Sequence, residues 1–143
     1  GDINVKVDKG VVYVDISDKL LFKSGSFNIT DKAKVVLGKV AKVLAAQPAI
    51  EFMVEGHTDS KQLISGGNLM EDNWDLSVKR ATTIVRVLQD TYGIDPKRMT
   101  AAGRSEYIPV VENNSAENRA ANRRTRIVIL PQLDQFFQLL EKK

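Results

Sequence analysis

Residues 54–59, VEGHTD, mark the place where a strand of this chain ends in a polar turn. In the strand before the turn, every second residue from 50 to 54 is a large apolar residue, namely Ile, Phe and Val. The residues between and after them are Glu, Met and Glu, so the pattern predicts a strand with one buried face. A loop rich in Ser, Gly and Asn follows over residues 60–72. Asp59 therefore stands at the junction of a buried strand and a long polar loop.

Two amphipathic helices flank this strand. Thr30 and Asp31 are good N-cap residues for a first helix, and Pro48 ends it. Asn73 can cap a second helix, which Gly93 ends. The strand between them and a further strand after the second helix make strand–helix–strand units, whose strands run parallel.

The remaining elements complete a mixed sheet. Alternating valines at 5–7, a turn at 8–10 and a strand over 11–16 predict an N-terminal hairpin. After the second helix the pattern predicts a strand over 98–103, a loop over 104–118, a strand over 125–130 and a helix that opens at Pro131. We therefore predict an α+β fold, with a mixed parallel and antiparallel sheet and helices packed mainly on one face.

Length and composition predict one domain. The 143 residues suit a single compact unit, with a core over about 11–131 and a C-terminal helix over about 131–143. Hydrophobic residues make up 43% and charged residues 27%, which is typical of globular domains. No apolar run approaches the ~20 residues of a membrane helix, so any membrane attachment is expected in a segment upstream of Gly1.

The second helix carries a charge on its apolar side. At ~100° per residue, an apolar stripe forms from Trp74, Val78, Ala81, Val85 and Leu88. Arg80 falls inside the wider apolar arc, whereas its neighbour Lys79 falls on the solvated side. A buried guanidinium needs a partner, since an unpaired buried charge costs several kcal/mol. Because helical side chains lean toward the helix N-terminus, Arg80 is expected near the loop that follows Asp59.

Two interpretations of this pair remain open from the pattern alone. Asp59 and Arg80 could form an internal salt bridge that only fixes the loop. Alternatively, they could hold a zwitterion, with Asp59 binding an ammonium group and Arg80 a carboxylate. Arginine suits the second role because its planar guanidinium binds a carboxylate through two parallel hydrogen bonds.

Four motifs resemble those of OmpA-like domains, and in order they cover nearly the whole chain. VEGHTD at 54–59 looks like the signature of that family, and N-x-x-L-S-x-x-R-A at 73–81 is similar to its helix start. F-x-S-G-S at 22–26 matches a family loop, and Asn122-Arg123-Arg124 resembles the family's N-R-R strand start. The family includes outer-membrane proteins, peptidoglycan-associated lipoproteins and flagellar stator proteins.

The resemblance implies a β-α-β-α-β core and non-covalent binding of peptidoglycan through the diaminopimelate of its stem peptide. In the family, residues at the positions of Asp59 and Arg80 contact this group, which agrees with the zwitterion interpretation. The resemblance marks as candidate ligand-binding residues Asp59, Arg80, Arg123, Asn73, Thr58 and Ser26. The chain departs from the common pattern in the long loop over 60–72.

Other polar residues receive structural interpretations. His57, the only histidine, is expected to make a structural hydrogen bond, and the chain has no cysteine, so neither a metal site nor a cofactor is predicted. Glu51 and Glu55 are expected to be solvated, and no catalytic residue is predicted. Among the clustered arginines, Arg124 or Arg126 is expected to face solvent.

We therefore predict a non-enzymatic peptidoglycan-binding module that anchors an envelope protein to the cell wall. The alternatives are a cell-wall hydrolase and the peptidoglycan-binding part of an ion-driven motor stator. A net charge of +3, without aromatics among the arginines, argues against a nucleic-acid partner. The resemblance also implies a periplasmic location, tethered to the outer membrane of a Gram-negative bacterium, and a possible homodimer.

Overall fold

The computed structural model describes residues 3–62, 70–130 and 139–141. The strands are β1 (Ile3–Asp8), β2 (Val11–Ser17), β3 (Phe52–His57), β4 (Met99–Gly103) and β5 (Arg124–Ile129). The helices are α1 (Asp18–Leu21), α2 (Asp31–Ala45), α3 (Asn73–Asp90) and α4 (Ala116–Asn122), and a 3₁₀ turn spans Pro96–Arg98. The long loop is therefore described only at its two ends, and the predicted C-terminal helix only at residues 139–141, which are helical.

The five strands form one mixed sheet in the order β1-β2-β5-β3-β4. β3 and β4 pair in parallel, and the other neighbours pair antiparallel. β5 lies at the centre, where Ile127 pairs with Val14 of β2 on one side and with Val54 of β3 on the other. The predicted mixed α+β architecture is confirmed.

The core lies between one face of the sheet and the two long helices. Alternate residues of the strands point into it, with Ile16, Val54 and Ile127 almost fully buried. From the helices come Leu37 of α2 and Ile84 of α3, each inaccessible to solvent. Thr30 caps α2 as predicted, because its side chain accepts a hydrogen bond from the backbone N–H of Ala33.

The apolar stripe of helix α3 was predicted correctly only in part: Ala81 and Leu88 are inaccessible to solvent, but the N-terminal end of the stripe is not covered. Trp74 and Val78 are 47% and 43% exposed, whereas Ser77 is inaccessible to solvent. The reason lies in the sheet beneath, where a Cβ atom at Gly56 or Gly103 would collide with Ser77. The two glycines let the helix approach the strands on its small, polar side.

Two local predictions were also wrong. The side chain that caps α3 belongs to Asp72, which accepts from the N–H of Asp75, so Asn73 is the first helical residue. At the end of the predicted loop over 104–118 begins a further helix, α4, over residues 116–122 with Ser115 as its N-cap. This helix was missed because it is short and its only apolar residues are alanines, so its sequence has no clear helical periodicity.

No helix in the described ranges combines the length and apolar composition needed to cross a bilayer.

Candidate functional site

Four charged side chains meet where β3 ends and α3 begins. Asp59 follows β3, and Arg80 lies about two turns into α3. Asp18 begins α1, and Arg123 immediately precedes β5. We call these residues the four-charge network.

Arg80 is buried and bound from two directions. Its Nη1 lies 2.5 Å from Oδ1 of Asp18, and its Nε donates a 2.8 Å hydrogen bond to the carbonyl oxygen of Ser26. Its guanidinium carbon sits 4.9 Å from the centre of the Phe22 ring. The side chain is only 3% exposed, so the predicted burial of this charge is confirmed.

Asp59 pairs with a different arginine. Nη1 of Arg123 donates to Oδ2 of Asp59 at 2.5 Å, while Nε of Arg123 lies 3.9 Å from Oδ2 of Asp18. The other oxygen of Asp59 accepts from the N–H of Lys61 at 2.9 Å. The positive and negative groups therefore alternate from Asp59 through Arg123 and Asp18 to Arg80.

The direct Asp59–Arg80 salt bridge, the first of the two hypotheses, is not the pairing that the structure contains. Asp18, which the sequence interpretation missed, takes that place beside Arg80. The only signal for it was the need of a buried guanidinium for a carboxylate. That need does not specify which of the chain's carboxylates supplies it.

Exposure separates Arg123 from the other three residues of the network. The side chain of Arg123 is 37% exposed, against 9% for Asp59, 11% for Asp18 and 3% for Arg80. Burial raises the pKa of the Asp18 carboxyl above its ordinary value, and the charges of Arg80 and Arg123 oppose this rise. Burial lowers the pKa of Arg80, and Asp18 opposes this shift. Arg123 is thus the residue of the network that is most accessible to solvent.

The other candidate residues form the walls of this site. Asn73 is buried, and its Nδ2 donates to the carbonyl oxygens of Lys61 and Asp59, at 2.9 and 3.4 Å. Thr58 donates from Oγ1 to the carbonyl oxygen of Asp59 at 3.0 Å. Ser26 contributes the carbonyl oxygen that binds Arg80. The structure thus brings all six predicted residues to one place, three of them as supports of the loops.

The polar side chains on the second face of the sheet are more buried than expected. Glu55 is 4% exposed, and its two oxygens lie 3.1 Å from Nε2 of His57 and 3.3 Å from Nε of Arg104. The prediction of a solvated Glu55 was wrong, because its carboxylate is buried in contact with the side chains of His57 and Arg104. His57 makes the structural hydrogen bond that was expected, and burial lowers its pKa although Glu55 opposes the shift.

The two arginines of β5 are buried as well. Arg126 binds both carboxylate oxygens of Asp15, at 2.7 and 3.1 Å. Arg124 donates to the carbonyl oxygens of Asn122 and Ile108, and burial lowers its pKa to about 10, so it is still protonated at neutral pH. The expectation that one of them faces solvent was wrong, since Asp15 pairs with the buried Arg126 and two backbone carbonyls accept from the buried Arg124. Among the described residues, no His, Cys, Asp and Glu side chains cluster as a metal site.

Comparison with known proteins agrees with this arrangement. Residues 21–123 match the model of the OmpA family. Motility protein B of Bacillus subtilis is 30% identical over 129 residues, which is 90% of this chain and 49% of that protein. The chain thus spans about half the length of this curated relative.

Two solved structures share the fold and a similar level of identity. The putative MotB like protein from Desulfovibrio vulgaris superimposes with a TM-score of 0.83 at 31% identity, over 91% of this chain and 79% of that one. The cell wall anchor of the T6SS from Pseudomonas aeruginosa superimposes with a TM-score of 0.79 at 33% identity, over 92% and 89% of the two chains. Since the family model covers well over half of the sequence, this chain belongs to the OmpA family.

Proposed function

We propose that this domain binds peptidoglycan non-covalently, through the diaminopimelate of the stem peptide, and anchors an envelope protein to the cell wall. Membership of the OmpA family supports this function, as does the likeness to a cell wall anchor. The observation that carries the proposal is the alternation of two carboxylates and two guanidiniums at the end of β3.

The charges of the network match those of the ligand. The distal carbon of diaminopimelate bears an ammonium and a carboxylate, and the network offers a partner for each. Because two Asp and two Arg are already neutral together, a zwitterion can enter without leaving a net charge in a partly buried site. A ligand with only one of the two charges would leave one network residue uncompensated.

Each residue has a distinct role in this proposal. Arg123, the most exposed member, exchanges Asp59 for the ligand carboxylate, and Asp59 is then available to the ammonium group. Arg80 lies behind them and approaches the same carboxylate, while Asp18 and Ser26 hold its guanidinium in place. Charge-assisted hydrogen bonds of this kind are stronger than neutral ones.

A binding role without catalysis is part of the proposal. Each buried carboxylate of the region is engaged by a cation or by His57, so none is poised as a free general acid. The likeness to motility protein B favours one particular setting, the wall-binding part of a motor stator. We also propose a periplasmic location, attachment to a membrane and a homodimer. The tether to the outer membrane stays a prediction from the resemblance.

The test compares two small ligands by NMR. Free diaminopimelate is expected to shift amide signals near Asp59 and Arg80. Cadaverine, which has the same chain and both ammonium groups but neither carboxylate, is expected to shift them less. Equal responses would contradict the zwitterion site. In parallel, the protein should co-sediment with purified sacculi without releasing soluble fragments. Release of fragments would instead support a hydrolase, and failure to sediment would contradict wall binding.

A further inference from the structure

Two aromatic side chains lie together on the surface beside the four-charge network. The rings of Trp74 and Tyr107 are 5.5 Å apart between centroids and inclined at 38°. They are 47% and 63% exposed, and Trp74 is the only tryptophan of the chain. Nothing in the ion-pair chemistry of the network uses them.

The ring pair borders the same strand end as the network. Trp74 follows Asn73, whose side chain donates to the carbonyl oxygen of Asp59. On the other side, the N–H of Thr58 donates to the carbonyl oxygen of Ser105, two residues before Tyr107. Short links thus connect both aromatic residues to the backbone that presents Asp59.

The hydroxyl of Ser77 joins the two segments that carry the rings. It donates to the carbonyl oxygen of Trp74 at 2.9 Å and accepts from the N–H of Ser105 at 3.1 Å. The N–H of Tyr107 also donates to the carbonyl oxygen of Arg104, which closes a turn. Ser77 is inaccessible to solvent, so the backbones under both rings are fixed before any ligand arrives, which lowers the entropic cost of binding.

We propose that Trp74 and Tyr107 form a stacking platform for the sugar rings of the glycan strand. This inference rests on the proposed function, since the stem peptide held by the network is covalently joined to that strand. A pyranose ring presents a face of C–H groups with partial positive charge, and the face of an aromatic ring is negative. Val78, one helical turn after Trp74, and Ile108, next to Tyr107, are also 43% and 45% exposed, which adds apolar surface near each ring.

The platform is tested with two ligands that differ only in the sugar. Isothermal titration calorimetry would compare a soluble disaccharide–stem peptide with the same stem peptide alone. Trp74→Ala is expected to weaken binding of the first ligand by about five- to tenfold and leave binding of the second unchanged. Trp74→Phe, which keeps an aromatic face, should lose less. Val43→Ala, at a 69% exposed position on α2, is the matched control and should bind both normally.

Tryptophan fluorescence supplies a second measurement on the unmodified protein. The disaccharide–stem peptide is expected to protect Trp74 from quenching by acrylamide, and the free peptide is expected to give no protection. Equal loss of both ligands in the folded Trp74→Ala variant, or no loss of either, would overturn the platform alone. If the wild-type protein binds neither ligand, the proposed function fails first. Protection that grows with protein concentration in the absence of ligand would show a second copy on this surface and overturn the sugar assignment.

Discussion

The guanidinium of Arg80 lies 2.5 Å from the carboxylate of Asp18, and their side chains are only 3% and 11% exposed. Each charge is therefore the main compensation for the other in a region with little water. Removal of one partner leaves a buried charge without its counterion. The loss in folding free energy is then larger than the net contribution of the intact pair. The pair thus links the stability of the domain to the residue proposed to approach the ligand.

Asp18→Asn should destabilise the domain strongly. The substitution keeps the shape of the side chain but leaves Arg80 without its closest negative charge, at a cost of about 3–5 kcal/mol in the free energy of unfolding. Urea denaturation would measure it. Asp90→Asn, at an exposed position near the end of α3, is the control and should change stability by no more than about 0.5 kcal/mol. Equal stabilities of the two variants would contradict the importance of the pair.

Arg80 and its neighbour Lys79 should differ sharply in wall binding. Arg80→Lys is expected to reduce binding to sacculi by at least about tenfold, because an ammonium cannot reproduce the planar donor set that engages Asp18, Ser26 and the ligand. Lys79 is exposed, so Lys79→Ala removes a screened surface charge and should bind almost normally. Binding would be measured at matched salt, with circular dichroism as the check on folding. Equal losses would indicate diffuse charge attraction in place of a specific site.

Asp59→Ala should separate binding from stability. Its partner Arg123 is 37% exposed and can return to solvent, so the lost ion pair should cost about 1 kcal/mol or less. Binding to sacculi should nevertheless be lost, because the ammonium group of the ligand loses its carboxylate. Thermal melting and co-sedimentation of the same preparation test both statements. A large drop in melting temperature with intact binding would support a purely structural ion pair.

Gly56→Ala should disturb the site through packing alone. Gly56 does not have a positive φ, but an added Cβ would collide with the backbone carbonyl of Ser77. Helix α3 would have to move, and we expect a loss of about 1–3 kcal/mol in stability together with weaker sacculus binding. Gly38→Ala is the comparison, since its Cβ would meet the hydroxyl end of Tyr92 at 3.3 Å, which can shift. Similar stabilities of the two variants would contradict the close approach of α3.

His57 should make the domain less stable in mild acid. Burial lowers its pKa below the ordinary 6.5, so the unfolded chain takes up the proton first as the pH falls. Stability is therefore expected to fall as the pH drops below about 6.5. The pKa of Glu55 is lowered from 4.5, so this carboxylate stays ionised in that range. Urea denaturation at pH 7.5 and 5.5 should show a larger loss for the wild type than for His57→Gln, and equal losses would assign the effect to another group.

Periodicity along the chain was sufficient for the main elements. The alternation before residue 56 and the caps at Thr30 and Gly93 place β3, α2 and α3 close to where they lie. The burial of Arg80 also follows from the helix period, because angular position depends only on the number of residues between two side chains. The four resembling motifs correctly indicated the family and gathered six residues that do lie at one site.

Tertiary structure alone decided which charges pair and which face of α3 is covered. Asp18 comes from α1 and Arg123 from the start of β5, and a helical wheel contains no information about what lies opposite a side chain. Trp74 and Val78 were predicted inside, but Gly56 and Gly103 allow the sheet to meet Ser77, which rotates these two residues outward. The period of a helix is local, whereas the space left by a glycine on a distant strand depends on how the chain packs on itself.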